Sequence, residues 1–411
     1  MNVNNQKTLP FFFYLSAAVF LYILSRTLHP VPDGDDAMFS RILDGKNIFS
    51  LLQQRYFGWS GRIPIELLLI KTINIKLFWK IAIPASVLLL AYTAWRAFFF
   101  DIARAYLAVP AGILLFMLIT PSVNADAAWW LTGFYNYLLP VALGSWSLLI
   151  VKNSSNTSII NKVLALLLLS ISCFSEQVAV LMITGSVSIY FFKKDKKSYD
   201  LLFIALCLAC TAILLTAPGN AQRFAFEVKN SLPEFADFNL VNKLTLGVDR
   251  LNHHLNDSSN LIINALMLLA LINVLKEKNI KITDIIAISF LFIKLCGFLL
   301  SHLNSGLIDF IYNESYFNAQ SWFGYKIYTS YFFTLAAVFS LAYLSYNFIL
   351  NKKFAIAAVI SLLAGCATVM MMSFSPTVYA SAQRILFTYE ICSLITVCIY
   401  IRHFTLLFKS R

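Results

Sequence analysis

Long apolar runs recur along the whole chain and alternate with short polar stretches. A helix that crosses a membrane needs about twenty mostly apolar residues, and several of these runs reach that length. The short alternating segments typical of an outer-membrane barrel do not occur. The pattern therefore predicts an all-α polytopic membrane protein of about 12 transmembrane helices, built as a single domain over residues 1–411.

The predicted spans follow one another closely in the sequence. They are Phe11 to Leu28, Trp79 to Arg96, Ala105 to Thr120, Tyr137 to Val151, Val163 to Phe174, Val178 to Phe192, Leu201 to Thr216, Leu261 to Leu275, Ile282 to Ser301, Tyr328 to Leu350, Phe354 to Ser373 and Phe387 to Leu407. Residues Gly61 to Leu77 carry Lys71 and Lys76 on an otherwise apolar helix, which favours an interfacial helix. If this helix instead spans, the count becomes thirteen and every later loop changes side.

Charge distribution gives the chain an orientation. The net charge is +12, yet only 13% of residues are charged, about half the usual share for a soluble protein. The basic residues collect in short loops at Lys193–Lys197, Lys276–Lys281 and Lys352–Lys353, and at the end of the chain. This distribution indicates the positive-inside rule and not a nucleic-acid partner. It predicts that both termini are cytoplasmic and that the loops opposite face outward.

The first predicted outer loop, residues 29–78, is unusually acidic. Asp33, Asp35, Asp36 and Asp44 lie within twelve residues of one another, in a chain with only 20 acidic residues. Clustered carboxylates repel one another and are usually kept for a cation, a proton or a cationic transition state. We therefore interpret 29–78 as a catalytic loop followed by the interfacial helix. Asp33-Gly34-Asp35 also mimics a metal-binding DxD sequence, so a divalent metal stays an alternative, although no metal ligand is assigned.

Two further outer segments combine aromatic and polar side chains. The segment Pro121 to Tyr137 fits either an interfacial aromatic belt or a sugar site, because sugars stack on rings and hydrogen-bond to amides and carboxylates. Its candidate sugar-binding residues are Asn124, Asp126, Trp129, Trp130, Tyr135 and Asn136. Glu176 and Gln177 lie at the tip of a predicted hairpin. They either mark that tip in water or, if buried, belong to a functional site.

Arginines occur in two predicted outer loops, against the positive-inside trend. Residues 217–260 form a long outer loop that begins with Ala217-Pro-Gly-Asn-Ala-Gln-Arg223, and residues 374–386 form a Pro- and Arg-containing loop that includes Arg384. Arginine suits bidentate contact with phosphate, and Asn220 adds an amide. The alternative is that each arginine reaches to the lipid headgroups.

These segments together resemble the GT-C superfamily of integral-membrane glycosyltransferases. Within it, the layout is similar to that of the phage-type serotype-converting O-antigen glucosyltransferases. The resemblance rests on Asp35-Asp36, Trp59-Ser-Gly-Arg62, Trp130-Leu-Thr-Gly-Phe-Tyr-Asn-Tyr137, Glu176, Pro218-Gly-Asn-Ala-Gln-Arg223, and Ser375-Pro376 with Arg384. The large soluble C-terminal domain of many GT-C enzymes has no counterpart here, so recognition of the acceptor by such a domain does not carry over.

The resemblance implies transfer of a sugar, glucose in the first instance, from a polyprenyl-phosphate donor to a lipid-linked or surface polysaccharide acceptor. It places the active site at the periplasmic face of a bacterial inner membrane. Asp36 or Asp35 would act as the general base, and Arg62, Asn220, Arg223 and Arg384 would contact the donor phosphate. A single direct displacement would invert the anomeric carbon, and no cofactor is required.

Two other classes of protein share part of this pattern. A flippase or transporter of lipid-linked sugars predicts internal repeats and charges inside the bundle. An O-antigen polymerase would share the outer arginines and the lipid-linked substrates, but it does not need an acidic first loop. A catalytic role of Asp35 or Asp36 would therefore distinguish the transferase from the other two classes of protein.

Overall fold

The fold is described by a computed structural model that covers residues 3–275, 279–301, 310–313, 316–317 and 324–409, with side chains from residue 10 onward. All regular elements in these ranges are helical, which confirms the predicted all-α class for the described residues. The α-helices are α1 Val3–Thr27, α2 Asp35–Arg41, α3 Ile48–Gly58, α4 Ile63–Thr72, α5 Lys76–Ala94, α6 Ala105–Met117, α7 Pro121–Asn124, α8 Leu131–Asn136, α9 Leu138–Lys152, α10 Ile159–Ser172, α11 Glu176–Phe192, α12 Ser198–Leu215, α13 Pro218–Asn230, α14 Leu240–Leu255, α15 Leu261–Val274, α16 Ile282–Ser301, α17 Tyr325–Phe348, α18 Lys352–Met370 and α19 Phe387–Lys409.

Within the described residues, eight helical stretches are long and apolar enough to cross a membrane. They are Pro10–Thr27, Lys76–Phe99, Leu131–Lys152, Ser198–Leu215, Ile282–Ser301, Tyr325–Phe348, Lys352–Phe374 and Arg384–Lys409. This set is compatible with a polytopic membrane protein.

The predicted count of twelve spans is not confirmed. Each predicted span corresponds to an apolar helix, but α6, α10, α11 and α15 contain only 13, 14, 17 and 14 residues. Thirteen helical residues extend about 20 Å, short of the roughly 30 Å hydrocarbon layer. The α6 helix and the helical stretch Pro121–Trp129 form a pair bent by 99°. Apolar run length alone does not determine the count, because it does not show where a helix ends inside a run.

Segments predicted as outer loops are largely helical. The acidic segment 29–78 contains α2, α3 and α4, and residues 217–260 contain α13 and α14. Residues 121–136 form α7, a short π-helical turn at Ala125–Trp129, and α8, and many of their side chains are buried. The ten residues of α4 extend about 15 Å, too little to cross a bilayer alone. The placement of α4 at a membrane surface stays a prediction.

The chain divides into two compact units. The single domain over residues 1–411 stays a prediction. The first unit comprises residues 1–117 and 122–227, and the second comprises residues 118–121 and 228–411. Ile83, Val87 and Leu138 are among the fully buried side chains of the first unit. A core cluster of the second unit includes Phe235, Leu246 and Val378.

Two glycines set how the candidate site of the first unit is packed. A Cβ atom on Gly219 would lie 2.4 Å from the backbone nitrogen of Trp59, and one on Gly61 would lie 2.5 Å from the carbonyl oxygen of Leu214. Only glycine allows backbones to approach so closely. The segment 58–62 therefore packs directly against the junction between α12 and α13. Each of the two segments carries an arginine, Arg62 and Arg223.

We expect Gly219→Ala to lower the free energy of unfolding by about 1–3 kcal/mol, the usual effect of overpacking a closely packed contact. The atoms it meets are backbone atoms, which cannot rotate away. The measurement is thermal unfolding of the purified protein in detergent. Gly58→Ala is the matched control, since the nearest atom to its added Cβ lies 3.8 Å away, at the end of the Gln222 side chain. Equal melting temperatures for the two variants would contradict the packing described here.

Candidate functional site

Three charged side chains meet in the first unit and form what we call the Arg62–Glu176–Arg223 cluster. The Arg62 guanidinium donates through Nε to the Glu176 carboxylate at 2.9 Å, and its Nη2 lies 2.7 Å from the same Oε2 atom. Arg223 Nη2 lies 3.7 Å from the other carboxylate oxygen. Side-chain exposure is 25% for Arg62, 19% for Glu176 and 29% for Arg223. The cluster is thus half-buried and reachable by a ligand.

Helix ends place these three side chains. Arg62 is the residue that precedes α4, Glu176 is the first residue of α11, and Arg223 lies in the second turn of α13. Pro64 and Pro218 favour helix starts because proline lacks an N–H and has a preset φ. The N-termini of α4 and α11 carry partial positive charge, which favours a carboxylate or another anion nearby.

The electrostatics of the cluster favour an anionic ligand. Although burial favours its neutral form, the charges of Arg62 and Arg223 hold the pKa of Glu176 below its usual value. Burial opposes the charge of Arg62 as well, but the Glu176 carboxylate raises the pKa of that guanidinium. Burial and the neighbouring Arg62 lower the pKa of Arg223. The two guanidinium cations thus share the Glu176 carboxylate, and Glu227 and Glu66 attract Arg223 more weakly. An added anion would relieve the remaining repulsion between the arginines.

A chain of hydrogen bonds links the cluster to the acidic loop. Arg62 Nη1 donates to Asn136 Oδ1 at 3.1 Å, and Asn136 Nδ2 donates to the Thr132 carbonyl at 2.8 Å. The backbone N–H and hydroxyl of Thr132 both donate to Asp36 Oδ1, at 2.9 and 2.6 Å. The short helix α8 therefore connects Asp36 at one end with Arg62 at the other.

Asp36 and Asp35 occupy different environments, although they are neighbours in the sequence. Asp36 is 1% exposed, and its carboxylate accepts the two bonds from Thr132 and one from the backbone N–H of Val31 at 3.0 Å. Its oxygens are therefore occupied in fixing the loop to α8. Asp35 and Asp33 are exposed, and Asp35 is the first residue of α2. The geometry favours Asp35 over Asp36 for contact with a substrate.

The structure distributes the predicted sugar-binding residues among several environments. Glu176 belongs to the cluster, and Asn136 accepts a hydrogen bond from its Arg62. Tyr135 is fully buried and its hydroxyl contacts Thr72. Asn124 is buried, with Nδ2 3.4 Å from the Phe116 carbonyl, and Gln177 is buried. The remaining predicted residues, Asp126, Trp129 and Trp130, are half-buried.

The two other predicted phosphate ligands are Asn220 and Arg384. Asn220 Nδ2 donates to the carbonyl groups of Leu214 and Leu215, at 2.8 and 3.3 Å, and so satisfies the end of α12. Arg384 is half-buried and belongs to the second unit, within the short 3₁₀ turn Arg384–Leu386. Of the three predicted phosphate-binding arginines, Arg62 and Arg223 therefore belong to one cluster, whereas Arg384 belongs to the second unit.

Sequence analysis missed a second ion pair beside the cluster. Arg55 donates from Nε and Nη2 to the two oxygens of Glu66, at 2.8 and 2.9 Å, and Ser60 also donates to Glu66 at 3.2 Å. The Arg55 guanidinium lies over the rings of Phe39 and Trp59. This pair fixes the turn that presents Arg62. The sequence feature that could have indicated the pair is the acid Glu66 and the base Arg55 on either side of Trp59-Ser-Gly-Arg62.

The second unit holds its own polar cluster, which sequence analysis also missed. Asp249 accepts from the hydroxyls of Tyr331 and Tyr379, at 2.7 and 2.8 Å, and burial raises the pKa of its carboxyl group. The buried Arg250 donates to the carbonyl of Ala382 at 2.7 Å. Ala382 has a φ of 51°, a conformation that costs energy for a residue with a Cβ. Arg250 thus holds the loop that precedes Arg384.

Comparison with known proteins adds no assignment, since no family model, curated protein or solved structure matches the chain. Among the described residues, no three His, Cys, Asp or Glu side chains are grouped so that they would hold a metal ion. The geometry of the cluster is therefore the basis for any functional proposal.

We expect Glu176→Gln to lower the free energy of unfolding by about 1–3 kcal/mol near neutral pH, less than for a fully buried pair because water screens the cluster. Since folding lowers the pKa of Glu176, its contribution is fully present above the ordinary value of 4.5 and is lost as the pH falls through the lower folded pKa. The difference in melting temperature between wild type and Glu176→Gln should therefore narrow below about pH 4.5. Melting curves of both proteins from pH 7 to pH 3 test this. A gap that stays constant down to pH 3 would refute the assigned ion pair.

Proposed function

We propose that this protein is a GT-C-type glycosyltransferase that transfers a sugar, glucose in the first instance, from a polyprenyl-phosphate donor to a lipid-linked or surface polysaccharide. The reaction would take place at the periplasmic face of a bacterial inner membrane. The observation that carries the proposal is the Arg62–Glu176–Arg223 cluster, in which two half-buried guanidinium groups share a single carboxylate.

The cluster has the properties that a lipid-linked phosphate requires. Glu176 and Asn136 orient the Arg62 guanidinium with short contacts, so Arg62 would hold a phosphate oxygen in a fixed position. Arg223 makes the looser 3.7 Å contact and is the more exposed of the two arginines. The Arg223 side chain can therefore turn toward a phosphate while losing little of its attraction to Glu176. Charge-assisted bonds of this kind stabilise the negative charge that grows on the leaving phosphate.

The general base in this proposal is Asp35. Glycosyl transfer needs a group that accepts the proton of the attacking acceptor hydroxyl while the bond to phosphate breaks. Asp36 has its carboxylate oxygens bonded to Thr132 and Val31, so its proposed role is to position α2 and with it Asp35. A single displacement with one base and no second nucleophile inverts the anomeric carbon.

We expect Arg223→Gln to lower kcat by about 10²–10³-fold, because it removes a cation that stabilises charge developing on the leaving group. The measurement is sugar transfer by the purified protein from polyprenyl-phosphate glucose to polysaccharide acceptor. Lys229→Gln is the matched control, as it removes an exposed positive charge from the same helix α13 and should leave kcat unchanged. In cells, loss of the protein should remove one side-branch sugar from the surface polysaccharide by linkage analysis.

Two results of polysaccharide analysis would contradict the proposed function. Unchanged composition and linkage of the surface polysaccharide in cells without the protein would reject a transferase. Altered polysaccharide chain length with an unchanged repeat unit would indicate a polymerase instead.

We expect Asp35→Asn to lower kcat by about 10²–10⁴-fold with little change in melting temperature, because Asp35 is exposed. Asp36→Asn should instead lower the melting temperature, since an amide cannot accept all three of its hydrogen bonds. Asp33→Asn removes a comparable exposed carboxylate two residues earlier and is the control. Equal inactivation by Asp33→Asn and Asp35→Asn, together with a requirement for divalent metal, would replace the base with a metal site.

A further inference from the structure

A partly open cavity of about 240 Å³ lies in the second unit where α17 ends and α18 begins. Leu350, Phe354 and Leu406 contribute to its mostly apolar wall, and its polar lining residues are Asn351, Arg402 and His403. The helices around it belong to the apolar stretches Tyr325–Phe348, Lys352–Phe374 and Arg384–Lys409, each long enough to cross a membrane. The cavity is therefore at the end of membrane-spanning helices, the depth at which lipid headgroups are found.

The surroundings of the cavity are strongly basic. Residues 349–354 and 399–409 contain four lysine or arginine residues and no aspartate or glutamate. Lys353 is exposed, and the Arg402 guanidinium lies 4.9 Å from the centre of the Phe354 ring, at the cavity wall. Asn351 accepts from the backbone N–H groups of Lys353 and Phe354, and His403 Nε2 lies 2.9 Å from Asn273 Oδ1.

We propose that this cavity binds one anionic glycerophospholipid, whose phosphate lies between Lys353 and Arg402 and whose glycerol and first acyl carbons contact the apolar wall. A basic pocket between the ends of membrane helices is the arrangement that recognises anionic headgroups. The volume is below the 300–1,000 Å³ usual for a whole small-molecule ligand, so it admits a headgroup while the acyl chains extend into the bilayer.

The combination of surfaces decides between possible occupants. A free phosphate would gain from the cations but not from Leu350, Phe354 and Leu406. A neutral lipid would gain from the apolar wall but not from the charges of Lys353 and Arg402. Only an amphiphile with a negative headgroup matches both.

The test is native mass spectrometry of the full-length protein, purified and delipidated in detergent. The protein is titrated with phosphatidylglycerol and with phosphatidylcholine of the same acyl chains. We expect phosphatidylglycerol to bind more tightly, and we expect Arg402→Gln and Lys353→Gln each to weaken it about fivefold, the usual share of one basic residue at a lipid surface. Binding of phosphatidylcholine should change little.

Two more variants make the result specific to the cavity. Lys194→Gln removes an exposed lysine from another basic loop and should leave phosphatidylglycerol binding unchanged. Leu406→Trp fills the cavity without changing its charge and should weaken binding at least as much as Arg402→Gln. If Arg402→Gln does not fold, the Leu406→Trp variant alone tests whether phosphatidylglycerol binds in the cavity.

Three results would overturn the proposal. They are equal affinity for the two phospholipids, wild-type binding by Leu406→Trp, and displacement of phosphatidylglycerol by millimolar inorganic phosphate, which would show a site for the free anion.

Discussion

The ion pair between Arg62 and Glu176 is the contact on which the candidate site depends. It joins the start of α4 to the start of α11, two segments separated by 114 positions in the chain. Because Glu176 also faces Arg223, the same carboxylate sets the distance between the two guanidinium groups. Without it, the two half-buried cations would repel each other, with only the weaker attraction of Glu66 and Glu227 to offset the repulsion. The proposed phosphate ligand would lie against the same two guanidinium groups.

The polar connection from the Arg62–Glu176–Arg223 cluster to the acidic loop runs along the short helix α8. In its first turn Thr132 donates to Asp36, and its last residue, Asn136, accepts a hydrogen bond from Arg62. Residues four positions apart in a helix lie about one turn apart. The points on α8 that bind Asp36 and Arg62 are therefore separated by about one helical turn. A shift in either end of α8 would change both contacts. The acidic loop and the Arg62–Glu176–Arg223 cluster are thus connected through one helix, an arrangement that the proposed positioning of a donor and a base would use.

The sequence predicted the helical class and the approximate position of each apolar helix, because hydrophobic run length is local information. It did not predict where helices end within an apolar run, as at the bend after α6, since ends depend on tertiary partners. For the site, Arg62, Asn136, Glu176 and Arg223 were recognisable as polar groups beside helix breaks. Their pairing was not, because it depends on the close approach of glycine backbones. The burial of Asp36 and the Arg55–Glu66 pair were also beyond sequence reasoning, as both depend on contacts across the fold.

Charge balance separates this cluster from the polar groups of the second unit. Asp249 has three donors around its carboxylate, two tyrosine hydroxyls and the backbone N–H of Phe317. The buried Lys294 donates to Asn256 and to the carbonyl of Ile311, and His254 lies 3.2 Å from Glu390. These groups are buried and paired with one another inside the protein, as in structural polar networks. The Arg62–Glu176–Arg223 cluster differs in being only half-buried, with side-chain exposures of 19–29%. Solvent reaches its charges, so a ligand can reach them too, which is what the proposed function needs.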